Sequence, residues 1–206
     1  MRRAFAAIVS VLFLALSQAA VPALAQTAPD DIAAVKRAVF AAPDLPVLGN
    51  PQGDVVLVEF SDYNCGFCRK AAPEVAAFVK SDPGVKLVIH EIPIFGEGSH
   101  YAARAALASQ AQGKYPQFHR ALLAMRGKAE EASVLRVARE VGLDVARLQR
   151  DMAAPEITAR IETSLQLADQ IGLVGTPSFV VGDRAVFGYL PRGDLAELVA
   201  EARGAK

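Results

Sequence analysis

The only two cysteines of the chain, Cys65 and Cys68, lie three positions apart in the stretch SDYNCGFCRK. Cys65 follows an apolar run and opens a segment with helical spacing, so its thiol should face the unpaired N–H groups at a helix start. These groups and the helix dipole favour the thiolate, which is the nucleophilic form of cysteine. Because Cys68 lies about one turn later on the same face, the pair can open and close a disulfide by exchange.

A structural disulfide and a zinc site are the two simpler uses of such a pair. A disulfide that closes so short a loop stabilises by only about 2 kcal/mol, which is little for a domain of this size. A structural zinc site needs four ligands, and the three histidines, His90, His100 and His119, are distant from the cysteines in sequence. We therefore favour a redox function and expect neither a metal nor a cofactor; His119 is expected to pack between helices.

Glu59 is the one charged residue in the apolar run VVLVEF, residues 55–60. A buried carboxylate is unfavourable unless it has a partner or a role, and burial raises its pKa towards neutrality. We predict that Glu59 is buried and exchanges a proton with Cys68. The alternative is a glutamate at a sheet edge with its carboxylate in water.

A β-α-β unit must position these residues. The run 55–60 and the β-branched run 85–92 predict two parallel strands. The segment 65–80 between them has helical spacing, with a kink expected at Pro73. The preceding residues 26–53 predict one short helix followed by a turn-rich linker.

The rest of the chain changes pattern twice. Helical segments separated by Gly and Pro fill residues 99–171. Strands at 178–181 and 185–188 predict a hairpin, and a last helix is expected over 192–203. The order β-α-β, helices, β-β-α indicates an α/β sheet domain with an all-helical insertion.

The first 25 residues are expected to be a cleaved signal peptide. Arg2 and Arg3 precede an apolar run, residues 4–20, and Ala23-Leu24-Ala25 matches a cleavage site. Disulfides persist outside the cytoplasm. The 22 basic and 22 acidic residues balance, so nothing in the charge indicates nucleic acid or an anionic membrane as a partner. We expect an exported periplasmic protein that is not inserted in the membrane after cleavage.

The stretches LGNPQGDVVLVEFSDYNCGFCRK and VGTPSFVVGD resemble the DsbA family of thiol-disulfide oxidoreductases, nearest to the ScsC-like (suppressor of copper sensitivity) branch. The resemblance covers residues 45–203. It implies a thioredoxin fold with an inserted all-helical domain. The implied divisions are a signal peptide over 1–25, an N-terminal helix and linker over 26–53, the first half of the fold over 54–96, the helical insertion over 97–172, and the second half over 173–206.

The resemblance also implies catalytic roles. Cys65 corresponds to the exposed nucleophile and Cys68 to the buried resolving thiol. Glu59, six residues before Cys65, falls where thioredoxin-like proteins carry a buried acid.

The expected substrate-binding residues are Gly66, Phe67, Thr176 and Pro177. Gly66 and Phe67 are the dipeptide that tunes the redox potential in this family. Pro177 corresponds to the family's cis-proline, and a cis Thr176–Pro177 bond would present the Thr176 backbone to an extended substrate strand.

The resemblance further implies partners. The substrates would be cysteine-containing exported proteins, and a membrane redox partner, DsbB-like or DsbD/ScsB-like, would recycle the cysteine pair. Some relatives carry a longer N-terminal segment that joins protomers, which residues 26–53 do not match, so we expect a monomer. Whether the protein is an oxidase, an isomerase or a reductase stays open.

Two other classes of function compete with this interpretation. Because two thiolates suit a soft ion, a copper(I)-binding or copper-protective protein is the main alternative. A non-catalytic binding domain on a thioredoxin scaffold is the other, and the intact cysteine pair argues against it.

Overall fold

A computed structural model describes residues 29–205, so the predicted signal peptide, residues 1–25, lies outside the described residues. The described chain folds into helices and strands in the order α1 (Pro29–Ala41), β1 (Val47–Gly49), β2 (Val55–Ser61), α2 (Gly66–Ser81), β3 (Val85–Glu91), α3 (Glu97–Ala108), a 3-10 turn (Ser109–Gln112), α4 (Tyr115–Ala124), α5 (Glu131–Glu140), α6 (Val145–Asp151), α7 (Pro155–Gln170), β4 (Ser178–Val181), β5 (Arg184–Phe187) and α8 (Arg192–Gly204).

The five strands form one mixed sheet in the order β1-β3-β2-β4-β5. Strands β2 and β3 are parallel and are joined by α2, as the β-α-β pattern predicts. Strand β4 pairs antiparallel with β2 on its other side. Glu59 lies opposite Ile89 of β3 and Phe179 of β4, so it occupies the centre of the sheet.

Strand β1 was not predicted, because residues 26–53 indicated only a helix and a linker. Val47–Gly49 pairs antiparallel with the edge of β3. Three residues are too few for a periodic signal, so the strand depends on the pairing that β3 offers. Gly49 has φ +72, and a Cβ there would lie 2.6 Å from Val79 Cγ1 and 2.7 Å from the Val85 carbonyl oxygen.

The core lies on both faces of the sheet. On one face, buried residues of α2 and α8 share a cluster with the inner residues of the helices that follow β3, including Phe118 and Leu122. On the other face, Val39 of α1 and Leu167 of α7 pack against β2 and β3. Ile32, seven residues before Val39 on the same helix, is exposed.

The five helices α3–α7 lie between β3 and β4 in the chain, as the helical pattern predicts. The hairpin is also confirmed: Val181 pairs with Arg184 across the two-residue turn Gly182-Asp183, and Gly182 has φ +57. This topology agrees with the expected thioredoxin fold carrying a helical insertion. Within residues 29–205, no helix has both the length and the apolar composition that a membrane span requires.

Candidate active site

Cys65 is the N-cap of α2. Its φ and ψ are −75° and 118°, and its Sγ accepts a hydrogen bond from the Cys68 backbone N–H at 3.4 Å. The cap position gives the sulfur one of the N–H groups that no helical carbonyl can reach. The local prediction of a thiol at a helix start is therefore confirmed.

The Cys65 side chain is more enclosed than the resemblance implied. The residue is only 3% exposed, so the expectation of an exposed nucleophile is wrong for this structure. The Cys65 thiol donates a hydrogen bond to the Thr176 carbonyl oxygen at 3.2 Å, which places the loop before β4 against the sulfur. The neighbouring Phe67 is 62% exposed and Gly66 is also exposed.

The pKa values of the two thiols are shifted in opposite directions. A hydrogen bond from the Cys68 side chain is the largest cause that lowers the pKa of the Cys65 thiol from 9.0 to about 5. Burial opposes this change, and the nearby Thr176 side chain and the backbone N–H groups of α2 add to it. Burial raises the pKa of the Cys68 thiol far above its ordinary value, and both Cys65 and Glu59 add to that rise. At neutral pH Cys65 is therefore the more acidic thiol of the pair, whereas Cys68 keeps its proton.

Glu59 is buried beneath the cysteine pair. It is 2% exposed, which confirms the predicted burial and makes the sheet-edge alternative wrong. Burial raises the pKa of the Glu59 carboxyl from 4.5 to about 7. The charge of His119 and the nearby Ser61 hydroxyl oppose the rise, and Glu91 adds to it. A carboxyl that titrates near neutrality can both accept and return a proton.

The loop before β4 brings distant residues to the cysteines. The Thr176–Pro177 peptide bond is cis, as the resemblance implied. The Pro177 carbonyl oxygen accepts a hydrogen bond from the Gly188 N–H at 2.8 Å, and the Ser178 hydroxyl donates to the Gly175 carbonyl oxygen at 2.6 Å. These bonds hold the loop against the sheet, so the Thr176 backbone lies next to Cys65.

Asp62 organises the loop between β2 and α2. Its buried carboxylate accepts hydrogen bonds from the backbone N–H groups of Asn64 at 2.7 Å, Ile94 at 2.7 Å and Phe95 at 3.2 Å, and from the Ser99 hydroxyl at 2.7 Å. Asp62 therefore joins the loop before Cys65 to the segment after β3. Except for Asn64, these partners lie more than about 30 residues from Asp62 in the chain. The sequence offered no signal for them.

Asn64 and Arg69 connect the cysteine loop to the helical insertion. The Asn64 side chain accepts from the Ala129 N–H at 2.7 Å and donates to the Ala129 carbonyl oxygen at 3.0 Å. The Arg69 guanidinium donates to the carbonyl oxygens of Tyr63 at 2.6 Å, Met125 at 3.3 Å and Gly127 at 2.5 Å. The insertion is thus hydrogen-bonded to the residues that flank Cys65.

The site also contains groups that the sequence did not assign to it. Tyr63, Glu91, Tyr115 and His119 form a buried hydrogen-bonded cluster. His119 lines the same cavity as Glu59. His119 is buried, but its nearness to Glu59 could not be read from the sequence, because the two residues lie on different elements.

The described residues contain no group of three or more His, Cys, Asp or Glu side chains arranged to hold a metal ion. Cys65 and Cys68 are both free thiols in this structure. The groups next to each other that could exchange protons and electrons are the two thiols and the buried Glu59 carboxyl, with the Thr176–Pro177 loop against Cys65.

The comparisons with known proteins agree with this fold. The family model of the DSBA-like thioredoxin domain matches residues 56–200. A thioredoxin-like oxidoreductase from Silicibacter pomeroyi DSS-3 is 56% identical and covers 83% of this chain and 99% of its own, with a TM-score of 0.82. The thiol-disulfide exchange protein alpha-DsbA2 from Wolbachia pipientis is 29% identical and covers 82% of this chain and 95% of its own, with a TM-score of 0.77.

Two further comparisons are more limited. The catalytic domain of Proteus mirabilis ScsC is 24% identical over 83% of this chain and 96% of its own, with a TM-score of 0.75, and supports the fold alone. The Na(+)/H(+) antiporter NhaA 3 from Salinispora tropica is 31% identical over 140 residues, which are 67% of this chain. The match spans only 22% of that antiporter, so this chain corresponds to about a fifth of the length of such curated relatives.

Proposed function

Because the chain belongs to the family of DsbA-like thioredoxin domains, which includes thiol-disulfide oxidoreductases, we propose that it exchanges disulfides with other proteins through Cys65 and Cys68. The observation that carries the proposal is the N-cap position of Cys65. There the Sγ accepts the Cys68 N–H at 3.4 Å while Cys68 lies buried behind it. This arrangement stabilises one thiolate and keeps the second thiol protonated until it is needed.

In the reductive direction, the Cys65 thiolate attacks a substrate disulfide and one substrate sulfur leaves with the bonding electron pair. Cys68 then gives its proton to Glu59 and attacks Cys65 of the mixed disulfide. The Cys65–Cys68 bond forms, the bond from Cys65 to the substrate breaks, and the substrate sulfur leaves as a thiolate. The substrate gains two electrons and the enzyme loses two.

In the oxidative direction the same steps run backwards. A substrate thiolate attacks Cys65 of the Cys65–Cys68 disulfide, and Cys68 leaves as a thiolate that takes a proton from Glu59. A second substrate thiolate then attacks the substrate sulfur of the mixed disulfide. The substrate disulfide forms, the bond to Cys65 breaks, and Cys65 leaves as a thiolate. Since a stable leaving thiolate favours this release, the pKa of about 5 at Cys65 supports dithiol oxidation as the main direction.

The substrates in this proposal are cysteine-containing exported proteins that the enzyme meets in the periplasm. The predicted signal peptide at residues 1–25 supports this location. A membrane redox partner, DsbB-like or DsbD/ScsB-like, would recycle the pair, and the enzyme would work as a monomer. The antiporter activity named for the longer curated relatives does not enter the proposal, because only about a fifth of such a protein is matched.

Substrate contact is assigned to four residues around the sulfur. Gly66 and Phe67 are exposed beside Cys65, and Phe67 offers an apolar ring to an incoming chain. The Thr176–Pro177 loop lies on the other side of the sulfur, where its backbone can pair with an extended segment. A substrate cysteine would reach Cys65 between these two elements.

The proposal is tested with serine variants of each cysteine and a peptide containing two cysteines. The oxidised wild-type protein should oxidise the dithiol peptide, and Cys65→Ser should abolish the reaction. Cys68→Ser should instead accumulate a mixed disulfide between Cys65 and the peptide, because the resolving thiol is absent. Turnover by Cys65→Ser at the wild-type rate would rule out the mechanism, and mass spectrometry of the trapped adduct identifies the sulfur.

Copper(I) binding by the two thiolates stays a prediction from the sequence. Two soft ligands at adjacent positions suit copper(I) in principle. Stoichiometric copper(I) binding by a protein that fails to turn over the dithiol peptide would favour this alternative over the proposed one.

A further inference from the structure

A buried polar cluster borders the Glu59 cavity and has no role in the mechanism above. Tyr63 precedes α2, Glu91 ends β3, and Tyr115 and His119 lie on α4. All four side chains are buried. Burying four polar groups together is unfavourable unless their hydrogen bonds are satisfied or the cluster has a function.

The hydrogen bonds in this cluster determine which ring nitrogen of His119 carries a proton. The Tyr63 and Tyr115 hydroxyls both donate to Glu91 Oε1, at 2.5 Å and 2.6 Å. Each hydroxyl has one proton, so the Tyr63 oxygen is left as an acceptor for His119 Nδ1 at 2.8 Å. Nδ1 therefore carries a proton, whether the ring is neutral or charged. The Tyr63 oxygen and the Tyr115 ring stacked on the imidazole hold its orientation.

His119 and Glu59 share one cavity of about 540 Å³ between α2, β1 and α4. Its walls are mainly apolar, including Val75, Leu87 and Leu123. Glu59 Oε1 is buried and has no hydrogen-bond partner in the described part of the chain. Because the Glu59 and His119 side chains are both buried, solvent screens the charge of a protonated His119 on the Glu59 carboxyl only weakly.

Several groups with charge or a titratable proton face Glu59 from the surrounding elements. His119 favours the carboxylate, whereas Glu91 and burial oppose it. His119 Nδ1 lies 3.8 Å from Glu91 Oε1. The positive charge of a protonated His119 therefore partly offsets the negative charge of Glu91. Within residues 29–205 these groups are Ser61 on β2, Glu91 on β3, Cys68 and Lys80 on α2, and Tyr115, His119 and Arg120 on α4.

We propose that His119, held by Tyr63, Tyr115 and Glu91, is a positioning residue that sets how tightly Glu59 holds its proton. The proposal rests on the proposed function, in which Glu59 takes a proton from Cys68 and returns it. His119 acts only through Glu59 and does not contact either sulfur in this scheme. It keeps a carboxyl buried in an apolar cavity able to ionise at neutral pH.

The test follows the Glu59 carboxyl directly. Reduced protein carrying 13C-labelled glutamate is titrated, and the Glu59 carboxyl resonance is identified by its loss in Glu59→Gln. The wild-type midpoint is expected at about 7. In His119→Gln the midpoint should rise by about one pH unit, the size of shift that a nearby opposite charge produces. His100→Gln, the same substitution on α3, should leave the midpoint unchanged.

Two further measurements separate this proposal from loss of structure. The Cys65 thiolate absorbance should still titrate at about 5 in His119→Gln, since His119 is not among the causes of that shift. If His119→Gln does not fold, Tyr63→Phe replaces it, because loss of the hydroxyl that holds Nδ1 should move the Glu59 midpoint upward too. An unchanged Glu59 midpoint in a folded variant overturns the proposal.

The carboxyl titration needs no turnover, so its outcome is independent of the proposed function. If the wild-type protein fails to oxidise the dithiol peptide, the proposed function fails while the titration still decides the role of His119. If the protein turns over and the midpoint does not move, the function stands and the positioning role is wrong.

Discussion

At the scale of single residues, three neighbouring side chains of the site have clearly different pKa values. Cys65 has its thiolate stabilised at a helix N-cap, and Cys68 is held as a thiol by burial. Glu59 lies between them in acidity, with a pKa of about 7. In the proposed cycle one proton leaves Cys68 and returns to it, and a carboxyl that titrates near neutrality is matched to that transfer.

The burial of Glu59 should make the protein less stable as pH rises. Its pKa is raised on folding, so its contribution to stability is fully present below 4.5 and is lost as pH rises through about 7. Glu59→Gln cannot ionise, and its free energy of unfolding relative to wild type should therefore increase by about 3 kcal/mol over that interval.

Urea unfolding of the two reduced proteins at several pH values measures this difference. The exposed Glu197 on α8 provides the matched control, and Glu197→Gln should follow the wild-type curve. A constant difference between Glu59→Gln and wild type from pH 4.5 to 8 would contradict the shifted pKa.

At the scale of elements, α2 does more than present the cysteines. Arg69, one turn after Cys65, donates to carbonyl oxygens in the loop before α2 and in the segment after α4. Asn64 pairs with both backbone groups of Ala129. The helical insertion is therefore attached to the redox centre by side-chain to backbone hydrogen bonds, which are specific in position.

Replacing Arg69 should weaken that attachment. Arg69→Met keeps most of the side-chain length but leaves three carbonyl oxygens without their charged donor. The expected loss in the free energy of unfolding is about 2–3 kcal/mol, since hydrogen bonds to charged groups contribute more than neutral ones.

Arg136→Met is the matched control for this experiment. Arg136 makes an exposed ion pair with Glu140 at 2.6 Å, one turn along α5. Such a pair contributes about 0.5 kcal/mol or less. Urea denaturation of both variants compares them, and equal losses would show that the Arg69 contacts do not hold the insertion.

At the scale of the whole molecule, His90 joins the N-terminal helix to the sheet and the insertion. Its Nε2 bonds the Val39 carbonyl oxygen of α1 at 2.9 Å, its Nδ1 bonds the Ser164 hydroxyl of α7 at 2.9 Å, and its ring stacks on Phe60. A carbonyl can only accept, so Nε2 donates and Nδ1 accepts from Ser164. The neutral ring suits both contacts.

Acidification should loosen α1 through this histidine. Burial lowers the pKa of His90 below its ordinary value of 6.5. When α1 opens, His90 becomes hydrated and gains a proton below pH 6.5, so the opened state is favoured as pH falls. Hydrogen-exchange protection of the α1 amides, corrected for intrinsic rates, should therefore be lower at pH 5 than at pH 7.

The matched variants are His90→Gln and His100→Gln. His90→Gln has no titrating ring and should show the same α1 protection at both pH values. His100→Gln should retain the wild-type decrease. A decrease of equal size in His90→Gln would assign the effect to another group.

The sequence by itself determined the features that depend on neighbouring residues. The spacing of Cys65 and Cys68, the helix start between them and the apolar run around Glu59 all involve contacts within a few positions or a regular period. Their physical consequences, a stabilised thiolate and a buried acid, followed directly. The order of elements likewise indicated an α/β sheet domain with a helical insertion.

Only the tertiary structure decided the features that depend on residues far apart in the chain. It enclosed Cys65 beneath the Thr176 loop, added strand β1, and gave Asp62 partners beyond the next strand. It also brought His119 to the cavity of Glu59 from a helix that is 60 residues later in the chain. Such contacts are set by how two packed surfaces meet, and neither periodicity nor local propensity carries that information.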